Sequence, residues 1–153
     1  YVPEYAKELV WDENYEVLAD QESIFEEQAH RINRLVGKVD VIVTDSPILF
    51  SEIYGENNSN GFRARIWDEH NSHDNFNLFI NRGSTFEQQG RIHNLEESKE
   101  KDNEIKQMLD EHSVYYGNYY HRTVPVIIDN IVKTLHRIQA YTEQDEDDEE
   151  MEL

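Results

Sequence analysis

The chain has 153 residues, of which 37% are hydrophobic and 31% charged, and its net charge is −19. That length suits one well-buried domain and is too short for two ordinary ones. The charge argues against general affinity for nucleic acid, although screening over about 8 Å leaves room for a local basic pocket. With no cysteine, neither a disulfide nor a thiolate zinc site can form, and no apolar run approaches the ~18 residues of a membrane span.

The chain opens on Tyr1-Val2-Pro3-Glu4, which reads as the end of a strand and suggests a chain cut within a domain. Tyr5 and Leu9 then lie at helical spacing, giving a short helix over Glu4–Trp11, closed by the polar break Asp12–Asn14. Asp20 caps a longer predicted helix that runs to about Val36, with Ile24, Phe25, Gln28, Ile32 and Leu35 along one stripe. Gly37 stands where a left-handed C-terminal cap is favoured.

Val39–Thr44 is the clearest predicted strand, apolar and β-branched enough for a central strand covered on both faces. Asp45-Ser46-Pro47 stops it, and Pro47 suits the first turn of a helix over Ile48–Tyr54. After the polar loop Gly55–Gly61, a helix over Phe62–His70 turns Phe62, Ile66 and Trp67 inward. Phe76–Asn81 reads as a further strand, followed by a polar, glycine-containing excursion from Arg82 to His93. Asn94 and Glu97 have the spacing of a capping box for a helix to about His112, with a thin stripe of Leu95, Ile105, Met108 and Leu109. Val114–Tyr120 is predicted as strand and turn broken at Gly117. Thr123 and Pro125 start a last helix striped by Ile127, Ile131, Leu135 and Ile138. Eight of the 33 acids lie between Glu143 and Glu152, so residues 141–153 are expected to be a disordered acidic tail behind a folded domain over 1–140.

Helices alternating with short apolar strands predict an α/β protein with a parallel sheet. Ligands of such sheets bind beyond the carboxyl ends of the strands. Asp45 is placed there to hold magnesium through its water shell, or else is simply a turn former in Asp-Ser-Pro. Glu4 is placed to accept a proton from a substrate hydroxyl, or else to complement a helix dipole. Arg82 and Arg91, flanking a glycine-hinged excursion, suit a lid over phosphoryl groups, or else belong to an ordinary solvated loop. His70 and His73, with Asp68 and Asp74 nearby, have the donor types of a metal site, but Asn71-Ser72 between them reads as loop. Tyr115, Tyr116, Tyr119 and Tyr120 could stack bases, with strand packing the plainer use.

Taken in order, Val2-Pro3-Glu4-Tyr5-Ala6-Lys7-Glu8, the Gln28 helix, Gly37-Lys38-Val39-Asp40-Val41-Ile42-Val43-Thr44-Asp45-Ser46-Pro47 and the segment from Asn81-Arg82-Gly83 to Gly90-Arg91 form an ordered set. This set resembles a family of phage and bacterial P-loop ATPase/kinase proteins, similar to the nicotinamide-riboside kinase part of a bifunctional NAD-biosynthesis regulator. The resemblance implies a P-loop NTPase-like, kinase-type α/β fold with a parallel sheet flanked by helices, incomplete at the N-terminus. It implies ATP and Mg2+ as cofactors and phosphoryl transfer to a small nucleoside- or nucleotide-like acceptor in the cytoplasm of a bacterium or an infected host cell. Within it, Asp45 is the magnesium-side acid, Glu4 a substrate-site acid or base, Arg82 and Arg91 lid residues on the ATP phosphates, and Gln28 an acceptor contact.

One departure is large. Nothing of the form Gly, four residues, Gly-Lys-Ser/Thr occurs in the 153 residues, and that loop is what cradles the phosphates. These 153 residues alone are therefore expected not to bind magnesium-ATP. Two rival functions stay open: a non-catalytic acidic interaction protein, acting as scaffold or nucleic-acid mimic for a protein partner, and an ATPase coupled to a partner's movement. Neither a membrane nor direct nucleic-acid contact is expected.

Overall fold

The computed structural model describes residues 1–55, 57–81, 94–120, 123 and 125–136. Two compact units divide the chain, the first taking Tyr1–Asn77 and Phe86–Tyr116, the second Leu78–Thr85 and Gly117–Leu153. The architecture is mixed, with helices dominating and a small parallel sheet.

In the first unit, α1 (Tyr5–Trp11), α2 (Tyr15–Leu18) and α3 (Gln21–Asn33) pack around Leu9, Leu18 and Ile24, with Tyr5, Ala6, Val10 and Val17 against them. Each start has its chemical reason. Asn14 Oδ1 accepts from Val17 N at 3.4 Å, and Asp20 accepts from the N–H groups of Glu22 and Ser23, which satisfies donors the helix leaves open. α3 buries Ile24, Phe25, Gln28, Ala29 and Ile32, the expected stripe with Ala29 added and without Leu35, which lies past the helix and is half-buried. It stops at Asn33 rather than Val36, because Leu35, Val36 and Lys38 donate to carbonyls only three residues back, a tightening into 3₁₀-type turns. Gly37 takes a φ of 71° at the exit, as its position predicts.

A turn at residues 48–49 leads into α4 (Phe50–Tyr54). Ser59 caps α5 (Asn60–Asn71) by accepting from Phe62 N at 3.1 Å. Across α3 and α5, the rings of Phe25 and Phe62 meet edge to face at 5.4 Å, and Ile66 is wholly buried. α6 (Leu95–Glu111) carries the full capping box of Asn94 and Glu97 and buries Ser98, Ile105, Met108 and Leu109, while Leu95 stays exposed.

The second unit contains nearly all of β1 (Asn77–Asn81) and β2 (Tyr116–Tyr120), which are hydrogen-bonded neighbours. Asn77 Nδ2 donates to Tyr115 O at 3.2 Å and Asn81 Nδ2 to Tyr119 O at 2.8 Å, with the same 38-residue offset. A constant offset means the strands run parallel. β2 passes through Gly117 without the expected break. Residues 125–136 form a helix, α7, with Ile127 buried and Ile131 and Leu135 half-buried. Ile138 and the acidic tail lie outside the described residues.

The segment Val39–Thr44 differs from its expected form. It bends at residues 39–40 and makes one bridge among the described residues, parallel, between Val2 and Thr44, and Val39, Val41 and Val43 are exposed, Val43 by 59%. Ile42 and Thr44 alternate with them as half-buried residues. The segment is paired on one edge among the described residues, so alternate side chains face out instead of lying covered on both faces.

Candidate functional site

The bridge that interrupts the expected strand also organises the best cluster of chemistry. Val2 N donates to Val43 O at 2.8 Å. Because the two segments run in the same direction, the residues that follow each, Glu4 and Asp45, emerge at the same carboxyl end. The Tyr1 side chain, on a residue 73% exposed, feels the charge of both acids, Asp45 the more strongly. Its hydrogen bond with the Asp45 carboxylate, burial, and the negative charges of Asp45 and then Glu4 hold its pKa above the ordinary 10.0.

Gln28 fixes this end from below. Only 3% exposed, it accepts from Tyr5 N on Oε1 at 3.1 Å and donates from Nε2 to Pro3 O and Thr44 Oγ1, each at 3.4 Å. Thr44 Oγ1 also accepts from Ser46 N at 3.1 Å, which turns the chain just after Asp45. Gln28 thus spends its carboxamide on the two extended segments and acts as a positioning residue; the acceptor contact expected of it would need those bonds to be exchanged. The clamp of α1 on α3 supports the same geometry. Arg31 grips the Glu8 carboxylate with both Nη atoms, at 2.7 and 2.9 Å, bonds Glu27 through Nε at 2.7 Å, and lies 4.7 Å over the Tyr5 ring. The arginine pulls the Glu8 carboxyl below its ordinary value, as a bidentate charge-assisted pair does.

Of the residues expected at the site, Glu4 and Asp45 follow the two bridged segments, and Gln28 bonds to both of those segments. Arg82 and Arg91 lie outside the described residues. Among the described residues no three His, Cys, Asp or Glu side chains converge as a metal cluster. His73 instead meets Glu69 at 3.3 Å, and His70 is buried on α5.

A second concavity escaped the sequence reading. A cleft of about 520 Å³ brings the last turn of α5 and the residues after α6 together, between Trp67, His70, His112 and Tyr115. The Trp67 and His112 rings stack at 4.0 Å and 24°. The signal available was the three-residue spacing of Trp67 and His70, which sets both on one helix face; nothing local announces that His112 joins them. No helix among the described residues is long and apolar enough to cross a membrane. No protein-family model, curated protein or solved structure matches the chain.

Proposed function

We propose that the chain contributes the acidic pair of a P-loop kinase-like domain that moves a phosphoryl group from ATP to a small nucleoside- or nucleotide-like hydroxyl. The single observation behind this reading is the parallel bridge between Val2 and Thr44, which brings Glu4 and Asp45 out at one carboxyl end. Open parallel sheets bind their ligands beyond that end. Here Glu4 takes the acceptor's hydroxyl proton as its oxygen bonds to the γ-phosphorus, the bond from that phosphorus to ADP breaks, and ADP leaves. Asp45, exposed at the turn, suits a magnesium ion held through water, which needs only one or two carboxylates and no protein cluster. Bound magnesium supplies neutralisation of charge on the transferring phosphate.

The open edge supports the same reading. Val39, Val41 and Val43 are exposed on a segment paired on one side only, whereas parallel strands are ordinarily covered and flanked. Two facts favour a second reading, a non-catalytic acidic interaction protein: the charge of −19 and the absence of a phosphate loop within the 153 residues.

The test is a panel of nucleosides incubated with the protein, magnesium and γ-labelled ATP. Label transfer to one of them, reduced at least ~100-fold by Asp45→Ala, is the expected result, as charge stabilisation of that kind is worth several kcal/mol. Unchanged turnover removes Asp45 from the site. No transfer and no magnesium-ATP binding by calorimetry leaves the interaction reading in its place.

A further inference from the structure

His70 is 8% exposed and lines the cleft at the end of α5, and it is its backbone carbonyl, not its ring, that accepts from the Asn75 side chain. Neither ring nitrogen is a fully buried atom left unpaired, so the ring keeps an accessible edge, and its place in the cleft wall is a reason to look for what that edge meets there. Burial, and then the neighbouring His73, lowers its pKa from 6.5, which keeps the ring neutral near pH 7. A neutral imidazole offers one donor and one acceptor.

The rest of the wall has the same character. None of its nine residues is Asp, Glu, Lys or Arg, in a chain where those four types make up 31%. Asn75 Nδ2 is used on His70 O at 2.6 Å and His73 O at 2.9 Å, and Asn77 Nδ2 on Tyr115 O at 3.2 Å. Their side-chain oxygens, and the whole Asn71 amide, make no hydrogen bond among the described residues. The flat surfaces come from Tyr115, 83% exposed, and from the stacked Trp67 and His112 rings.

We propose that this cleft binds a small, neutral, planar heterocycle with an amide-type edge, the chemistry of a nucleobase or its nucleoside. Such an edge presents a donor beside an acceptor and meets imidazole and carboxamide partners in kind. Its π-face stacks on aromatic side chains. A charged ligand would shed water and find no counter-charge in the wall. A volume of about 520 Å³ lies within the usual range of small-molecule sites. The proposal stands apart from phosphoryl transfer, since neither Glu4 nor Asp45 lines the cleft.

The chain has two tryptophans, so Trp11→Phe leaves Trp67 as the sole source of an indole N–H resonance. That variant of the full chain is titrated with adenine, uracil, adenosine and uridine, and with benzoate, N-methylpyridinium and ribose as charged or non-planar controls, followed by indole NMR and calorimetry. Saturable binding of a neutral base or nucleoside that moves the Trp67 resonance is expected, with the controls inert; bases against nucleosides tells which of the two is the ligand. His70→Phe should weaken it roughly tenfold, the effect of a hydrogen bond lost from a dry site. Tyr115→Ala, at an exposed position that folding tolerates, should weaken it by a similar factor through lost stacking. Preference for a charged probe, absence of binding by all four neutral ones, or affinity unmoved by Tyr115→Ala overturns the proposal.

Discussion

Gln28 donates from Nε2 to Thr44 Oγ1 at 3.4 Å, joining α3 to a residue 16 positions away. The same side chain serves as a cap supplied from a neighbouring helix. Glu4 occupies the N-cap of α1 but makes no side-chain capping bond, and Gln28 Oε1 accepts from Tyr5 N, the first helical residue, in its stead. Gln28→Leu removes an acceptor from that N–H and a donor from Pro3 O at once. The expected loss is about 1–3 kcal/mol, the cost of buried backbone groups left unpaired, read as a lower urea midpoint. Gln28→Glu keeps the acceptor for Tyr5 N but sets a carboxylate at this buried position against Pro3 O, so at pH 7 it should cost at least as much as Gln28→Leu. A midpoint unchanged in Gln28→Leu would show that water replaces the carboxamide without penalty.

The pair of Glu8 and Arg31 makes stability depend on pH. Arg31 lowers the Glu8 pKa below its ordinary 4.5, so the folded protein binds this proton less readily than the unfolded chain. The contribution is fully present above pH 4.5 and is lost as pH falls through the folded value. Glu8 is 44% exposed, so solvent screening keeps the amount under about 1 kcal/mol. Glu8→Gln should therefore lower the melting temperature slightly at pH 7 and flatten the acid limb of the stability curve below pH 4.5. An acid limb of unaltered slope would assign that limb to other carboxylates.

Local chemistry was legible in the sequence wherever one residue type decides the backbone. Asp20, Asn94 with Glu97, and Gly37 do as their positions predict, because capping and left-handed turns are settled within four residues. The inward stripes of α3 and α6 were equally readable from spacing. Val39–Thr44 was not, since an apolar β-branched run states a preference for extended backbone and says nothing of how many neighbours pair with it. That the segments before Glu4 and Asp45 pair in parallel was equally outside local pattern, and the Val2–Thr44 bridge shows it. The role of Gln28 was hidden for another reason: a polar residue on an apolar stripe signals burial with partners, and sequence does not name them. The Trp67, His70 and His112 cleft depends on contacts between two helices, which no local pattern encodes.

Asn94 carries the reciprocal bonds that start α6. Its Oδ1 accepts from Glu96 N at 2.9 Å and Glu97 N at 3.1 Å, while Glu97 Oε2 accepts from Asn94 N at 2.8 Å. Asn94→Ala should cost about 1 kcal/mol and Asn94→Gly only a few tenths, since glycine still permits the cap conformation and its solvation. Chemical denaturation of the two variants side by side checks this. Equal losses would mean that the side-chain bonds contribute little beyond the backbone geometry.

Gly37 tests whether the exit of α3 aims Asp45. At φ 71° nothing lies within 4 Å of where a Cβ would stand, so space is not the constraint and any penalty belongs to the backbone itself. Gly37→Ala should cost about 1 kcal/mol, Gly37→Asn less because asparagine tolerates the left-handed region, and Gly37→Val the most because branching at Cβ crowds it further. The order Val, Ala, Asn in falling loss, measured by thermal unfolding, is the signature of a retained left-handed turn. Should the three be equal, the turn relaxes to another conformation on substitution. In that case the path from Lys38 to Asp45 shifts with it, and the same variants should disturb the Tyr1–Asp45 contact, visible as a fall in the elevated Tyr1 pKa toward 10.0. If the order holds, the Tyr1 titration should stay where it is, because the segment leaving the turn keeps its course to the bridge with Val2.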